Sequence, residues 1–194
     1  MVQHKKVILA SKSPRRQELL KQLGVEFDIQ VLNIDETYPP EISPFDVPEY
    51  LARLKGDPYN GKVAEDTVVI TSDTVVIYQD RILGKPTDGT DALSMIQELS
   101  GKEHDVVTGV CLQFHDRKIS FSSTSKVTFD EITEAEARFY VNKFQPLDKA
   151  GAYGIQEWIG QAKIQKIDGC YYNIMGLPLN KLYNALSKEG VLTL

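Results

Sequence analysis

The sequence has few of the residues that cross-link small proteins or bind structural metals. Its 194 residues include two cysteines, Cys111 and Cys170, and three histidines. Two cysteines cannot form a disulfide framework, and the absence of CxxC and HExxH spacings argues against a zinc site. This cysteine content is typical of a reducing compartment, and we therefore expect a cytoplasmic protein. We expect His104, in the segment 100–108, to be exposed.

Long apolar runs and an excess of positive charge are also missing. No run approaches the roughly 18 apolar residues of a membrane-spanning helix. Residues 7–10 are apolar and follow basic residues, but they are too few for a signal peptide. The net charge is −5, whereas binding to duplex nucleic acid needs a surplus of Lys and Arg on one face. We therefore expect neither a membrane nor duplex nucleic acid as a partner.

Several common functional motifs are absent. There is no GxxxxGK[ST] phosphate loop, no GxGxxG fingerprint and no GxSxG nucleophile elbow. Hydrophobic residues make up 42% and charged residues 25%, which is ordinary for a globular protein. The length suits one domain, or two small lobes around a shared sheet.

The hydrophobic pattern predicts strands and helices mixed along the chain. Strands are predicted at residues 6–10, 27–32, 68–71, 75–78, 81–83, 106–114 and 119–129, with a tight hairpin formed by 163–167 and 171–175. Helices are predicted at residues 15–23, 43–55, 90–99, 133–145 and 179–188. This mixture indicates an α/β protein with a mixed sheet and not a regular βαβ winding.

A basic segment, SKSPRR at residues 11–16, lies where the first strand leads into the first helix. Ser13 is a predicted N-cap and Pro14 the first helical residue. Cations at a helix N-terminus are unfavourable unless an anion is present, so Ser11, Ser13, Arg15 and Arg16 are candidate phosphate ligands. The alternative is a solvated basic turn.

One acidic residue, Asp73, lies between two apolar strand segments. We expect a carboxylate there to be partly buried, which is costly. A functional role would explain it, such as binding Mg²⁺ or accepting a proton from water. The alternative is a turn aspartate that hydrogen-bonds the backbone.

Three separate lysines and one carboxylate pair complete the candidates. Lys55 ends a predicted helix, Lys85 lies in a GKP motif, and Lys149 precedes a glycine-containing loop. Asp35 and Glu36 are adjacent in a polar loop, where metal binding and simple solubility are both open.

These motifs follow one another along nearly the whole chain. They are SxSPRR at 11–16, the acidic pair at 35–36, LARLK ending at 55, SDTVV at 72–76, GKP at 84–86, SGKEHDVVTGV at 100–110, DKAGAYGIQ at 148–156 and GLPL at 176–179. Together they resemble the Maf family of nucleotide pyrophosphatases.

The resemblance implies a fold and a reaction. The fold would be a two-lobed α/β domain over residues 1–194, similar to Maf and inosine-triphosphatase folds. It would have an extended mixed sheet, flanking helices and the active site in the cleft between lobes. The reaction would be hydrolysis of a nucleoside triphosphate to monophosphate and pyrophosphate with Mg²⁺ or Mn²⁺, and Asp73 takes the family's general-base position. A homodimer is also implied.

The resemblance also implies roles for the other candidates. Arg15, Thr74 and Gln156 match positions tied to the subgroup acting on dTTP and UTP. The 7-methyl-GTP subgroup tends to have a bulky aromatic residue in place of the arginine. On charge, Glu36 and Asp73 are the expected metal ligands, and the five cations that would neutralise the triphosphate are Arg15, Arg16, Lys55, Lys85 and Lys149.

Other functions stay open at this point. A non-enzymatic nucleotide-binding regulator of cell division would keep the cations without needing Asp73. A house-cleaning enzyme for modified pyrimidine nucleotides, or a pyrophosphatase for non-standard purine triphosphates or 7-methyl-GTP, would use the same chemistry on another base.

Overall fold

The computed structural model describes all 194 residues. The strands are β1 (Val2–Gln3), β2 (Lys6–Leu9), β3 (Asp28–Ile29), β4 (Thr67–Tyr78), β5 (Arg81–Leu83), β6 (Glu103–Gln113), β7 (Lys118–Phe129), β8 (Ile164–Asp168) and β9 (Leu192–Thr193). The helices are α1 (Pro14–Gln22), α2 (Val47–Gly56), α3 (Gly89–Leu99), α4 (Glu134–Phe144), α5 (Trp158–Lys163), α6 (Tyr171–Met175) and α7 (Leu179–Lys188). Two short 3₁₀ turns cover Asp57–Tyr59 and Ala150–Ala152.

Seven of the strands form one mixed sheet. Their order is β3-β2-β4-β6-β7-β8, and β5 pairs with β4. Strand β2 runs parallel to β3 and to β4, whereas β5 is antiparallel to β4 and β8 is antiparallel to β7. The prediction of an α/β fold on a mixed sheet with flanking helices is therefore confirmed. None of the helices combines the length and apolar character that crossing a membrane requires.

The chain divides into two compact units. Unit 1 comprises Met1–Asp73, Thr108–Ser123 and Gly176–Leu194, and unit 2 comprises Thr74–Val107 and Thr124–Met175. Unit 1 contains a small apolar cluster of Tyr59, Val63 and Val69. Unit 2 has a larger core around Phe129 and Tyr140. The active-site cleft implied by the resemblance stays a prediction.

The helix starts follow local sequence chemistry. The Ser13 side chain accepts a hydrogen bond from the backbone of Arg16 and Pro14 occupies the first turn of α1, as predicted. Helix α4 begins with a complete capping box between Thr133 and Glu136, which satisfies two otherwise unpaired N–H groups.

Strand β4 differs from its prediction because it is continuous. The two predicted segments, 68–71 and 75–78, join through Ser72, Asp73 and Thr74 without a break. β4 pairs with β2 along Thr67–Ile70 and with β5 along Val76–Tyr78. Ladder pairing at both ends keeps the polar middle extended, and Asp73 lies in the segment between the two ladders.

The predicted hairpin at residues 163–175 is wrong. Strand β8 pairs with β7, and the second predicted strand is helix α6. Gly169 has φ +128° and packs against Ser125, whose hydroxyl accepts the N–H of Cys170 at 2.9 Å. The Ser125 hydroxyl of β7 therefore pairs with the backbone N–H that follows Gly169, and the chain continues into helix α6.

His104 is buried, contrary to the expectation of an exposed side chain. It is 2% exposed, and its Nε2 lies 2.8 Å from the hydroxyl of Tyr153. The ring also contacts Phe129. Burial lowers the pKa of His104 to about 4, so the imidazole is neutral at physiological pH.

Candidate functional site

In unit 1, Lys55 brings two of the predicted carboxylates together. Its Nζ lies 2.6 Å from Oδ1 of Asp73 and 2.9 Å from Oε2 of Glu36. The side chains of Lys55 and Asp73 are only 16% and 15% exposed, whereas Glu36 is 53% exposed. The result is a half-buried carboxylate paired with an ammonium, with a second carboxylate on the solvent side.

This arrangement depends on how α2 is attached to β4. Lys55 lies in the last turn of α2, and Asp73 lies in β4. The buried Thr71 hydroxyl donates to the backbone carbonyl of Ala52 in α2, at 2.5 Å. The Thr71 hydroxyl therefore links strand β4 to helix α2.

Arg16 lies beside Asp73 but is used mainly by the protein itself. Its Nε donates to the carbonyl of Gly176 at 2.9 Å, and its Nη1 donates to the carbonyl of Ser72 at 2.9 Å. The Ser72 hydroxyl donates to the same Gly176 carbonyl at 3.2 Å. Burial lowers the pKa of Arg16, and the Asp73 carboxylate opposes that shift. The guanidinium therefore fixes the backbone immediately before Asp73.

The two serines of the basic segment organise the segment itself. Ser11 is buried, and its Oγ accepts from the backbone N–H of Ser13 at 3.2 Å and from Nη1 of Arg16 at 3.4 Å. Ser13 caps α1, and Arg15 lies partly exposed in the first turn of that helix. Phosphate binding by Ser11, Ser13, Arg15 and Arg16 stays a prediction.

In unit 2, the candidates Lys149 and Gln156 lie in residues 148–157, which we call the glycine loop. Its Gly151 N–H donates to the carbonyl of Gly84 at 3.0 Å, next to the exposed Lys85. Gly151 has φ +65°, and a Cβ there would lie 2.8 Å from Cγ2 of Val76 in β4. A glycine is therefore required for the loop to pack on the strand that carries Thr74.

Lys149 is held inside the glycine loop. Its side chain is 9% exposed, and Nζ lies 2.8 Å from Oδ1 of Asp148 and 3.1 Å from Oε1 of Glu157. A buried ammonium needs such partners because an unpaired buried charge is costly.

The side-chain oxygen of Gln156 is a hydrogen-bond acceptor without a donor in the protein. This oxygen, Oε1, is buried and has no hydrogen-bond partner. Leaving a buried polar atom unpaired costs about 1–3 kcal/mol. Such a group is therefore suited to accepting a hydrogen bond from a bound ligand.

The sequence did not indicate three further groups. They are the Gly176 carbonyl that accepts from Arg16, the hydroxyl of Tyr140 and the carboxylate of Glu157. Gly176 lies in the GLPL motif, which matched the family without indicating a role. Nothing local marks Tyr140, because its partners lie in the glycine loop.

The protein's own side chains offer two carboxylates for a metal ion and no complete metal site. No three His, Cys, Asp or Glu side chains converge to form a metal site. The two carboxylates of Glu36 and Asp73 do converge, on the Lys55 ammonium. Mg²⁺ is often held by one or two carboxylates together with substrate phosphates. The residues present therefore fit a metal ion only if phosphate oxygens of a ligand supply part of its coordination.

The fold and the site together define an α/β protein whose carboxylate, lysine and arginine groups suit a phosphorylated ligand. The chain belongs to the Maf family, since the Maf-like protein family matches residues 6–189.

Two relatives give closer comparisons. The chain is 48% identical over 183 residues to the dTTP/UTP pyrophosphatase of Bacteroides thetaiotaomicron, covering 94% of this chain and 95% of that one. It is 44% identical over 182 residues to the dTTP/UTP pyrophosphatase of Parabacteroides distasonis, covering 93% and 94%. Among solved structures, the Staphylococcus aureus Ham1 protein superposes with a TM-score of 0.56 at 16% identity, covering 95% of this chain and 100% of that chain. That likeness concerns the fold alone.

Proposed function

We propose that this chain is a nucleoside triphosphate pyrophosphatase that hydrolyses dTTP and UTP to the monophosphate and pyrophosphate. The observation that carries the proposal is the half-buried Asp73 carboxylate, fixed by Lys55 within a chain of the Maf family. Relatives that cover nearly the whole chain at 44–48% identity are dTTP/UTP pyrophosphatases. A regulator that only binds nucleotide would not need this carboxylate.

Asp73 is suited to act on the attacking water. Its Oδ1 is engaged by Lys55 at 2.6 Å, which fixes the orientation of the carboxylate. The second oxygen, Oδ2, is then the one to accept a proton as water attacks the α-phosphorus. Arg16 holds the carbonyl of Ser72, so the backbone of the base is fixed as well.

The cations are suited to the leaving group. Pyrophosphate departs with developing negative charge, which fixed positive groups stabilise. We assign this role to Arg15, Lys85 and Lys149. Arg16 contributes less directly, because its bonds to backbone carbonyls hold the segment that precedes Asp73.

We further propose that Mg²⁺ or Mn²⁺ is held by Glu36 and Asp73 together with the substrate phosphates. When bound, the metal would neutralise phosphate charge and polarise a phosphoryl oxygen. Lys55 would keep its bond to Oδ1 of Asp73 and so continue to fix that carboxylate.

Removing the divalent cation with a chelator is expected to stop hydrolysis, and Mg²⁺ or Mn²⁺ is expected to restore it. The Glu36→Gln variant should need a higher metal concentration for half-maximal rate, because it loses one of two carboxylates. The exposed Glu41→Gln serves as its matched control. Full activity in the chelator would contradict the metal assignment and leave the hydrolase proposal standing.

The Asp73→Asn variant is expected to fold and to lose about 10²- to 10⁴-fold in kcat, the usual cost of a lost general base. The amide oxygen can still accept from Lys55, so the local structure is retained. Asp80→Asn, in the exposed β4–β5 turn, removes the same charge and should leave kcat unchanged. Wild-type turnover by a folded Asp73→Asn protein would contradict the role of Asp73.

Selectivity for uracil and thymine follows from the Gln156 amide. These bases present an N–H donor between two carbonyl acceptors, and the unsatisfied Oε1 of Gln156 is suited to accept that N–H. The Nε2 group is a donor for the neighbouring carbonyl. Cytosine presents a bare ring nitrogen at the position of the N–H, so Oε1 would stay unpaired at a cost of about 1–3 kcal/mol.

We therefore expect kcat/KM to be higher for dTTP and UTP than for CTP, GTP and 7-methyl-GTP under one metal condition. Gln156→Glu should lower kcat/KM for UTP roughly tenfold or more and reduce the preference for UTP over CTP, because a carboxylate cannot donate to the base carbonyl. Gln97→Glu, on the exposed face of α3, is the control for added charge. If 7-methyl-GTP were the best substrate, the assignment of the base would be wrong.

A cytoplasmic location and a homodimer belong to the same proposal. The first is supported by the low cysteine content, and the second only by the family resemblance.

A further inference from the structure

The glycine loop is held by a helix that carries none of the predicted site residues. Tyr140 of α4 is fully buried, and its hydroxyl accepts the backbone N–H of Gly154 at 3.0 Å. The same hydroxyl donates to Oε2 of Glu157. Burial and the Glu157 carboxylate raise the pKa of Tyr140, so the hydroxyl keeps its proton and stays a donor.

Glu157 extends this contact to the Lys149 ammonium. One of its oxygens accepts from Tyr140, and the other lies 3.1 Å from Nζ of Lys149. The Glu157 side chain is 17% exposed. A chain of three polar groups therefore runs from the hydroxyl on α4 through the carboxylate to the ammonium.

Gly154 shows how tightly this part of the loop is packed. A Cβ on Gly154 would lie 2.9 Å from both Nε2 of Gln156 and Cδ of Glu157. The two side chains thus cover the same bare Cα, and the N–H of that residue is the one bonded to Tyr140. The Glu157 side chain is therefore held by its packing against Gly154 and by the hydrogen bond from Tyr140.

We propose that Tyr140 and Glu157 are positioning residues, which hold the Lys149 ammonium in place for the triphosphate. The inference rests on the proposed function. It extends that function to two residues that would act through Lys149. A misplacement of about 1 Å at a group that contacts the substrate can cost on the order of 100-fold in rate.

The test compares two buried tyrosines: Tyr140→Phe loses two hydroxyl hydrogen bonds, and Tyr59→Phe loses one. Tyr140→Phe should lower kcat/KM for UTP roughly tenfold or more. Tyr59→Phe is the matched control, because the Tyr59 side chain is also buried and its hydroxyl donates to the carbonyl of Gln30 at 2.7 Å. Both variants should stay folded at the assay temperature, with the larger loss of thermal stability in Tyr140→Phe, and only Tyr140→Phe should lose activity. Equal activities in the two variants would overturn the proposal.

A double-mutant cycle separates positioning from a general structural effect. If Tyr140 acts through Glu157 on Lys149, Tyr140→Phe should have little further effect on kcat/KM once Lys149→Gln is present. Additive losses, or a Lys149→Gln variant as active as the wild type, would overturn the proposal. Glu157→Gln should show the same non-additivity with Lys149→Gln. A wild-type protein that releases no pyrophosphate would refute the proposed function itself, which is a different result from additive losses in an active enzyme.

Discussion

The arrangement of the site depends on one ammonium group placed between two carboxylates. Lys55 pairs with Asp73 at 2.6 Å and with Glu36 at 2.9 Å, and it does so from the last turn of α2. Two carboxylates close together repel each other, so a cation between them is needed to hold them. In the protein alone that cation is Lys55. In the proposed function, a divalent metal ion held by the same two carboxylates would add positive charge beside Lys55.

Backbone carbonyls, and not only charges, keep this cluster in place. Arg16 donates to the carbonyls of Ser72 and Gly176, and Thr71 donates to the carbonyl of Ala52. Hydrogen bonds from a charged donor are stronger than neutral ones, and buried carbonyls are costly to leave unpaired. The basic segment therefore stabilises the local structure, in addition to any contact with phosphate. Ser11 contributes to this stabilisation by accepting a hydrogen bond from Arg16.

Local chemistry was readable from the sequence, and distant contacts were not. The cap at Ser13, the capping box of α4 and the β-branched residues of β4 act within a few residues, and the elements they predict are present. The hairpin predicted at 163–175 rested on an equally local pattern, but pairing of β8 with β7 decided the outcome. The Arg16–Gly176 bond spans 160 positions, and no pattern within the chain indicates it. Roles for Thr74 and Gln156 came from the family resemblance, and only the structure shows that the Gln156 oxygen lacks a partner.

The central claim is that water attacks the α-phosphorus of a pyrimidine nucleoside triphosphate. Hydrolysis of UTP in ¹⁸O-labelled water, followed by phosphorus NMR of the products, tests it most directly. The label marks whichever phosphorus the water attacked. The account predicts ¹⁸O in the phosphate of UMP and none in the released pyrophosphate. Label in pyrophosphate, or in orthophosphate formed together with UDP, would contradict it.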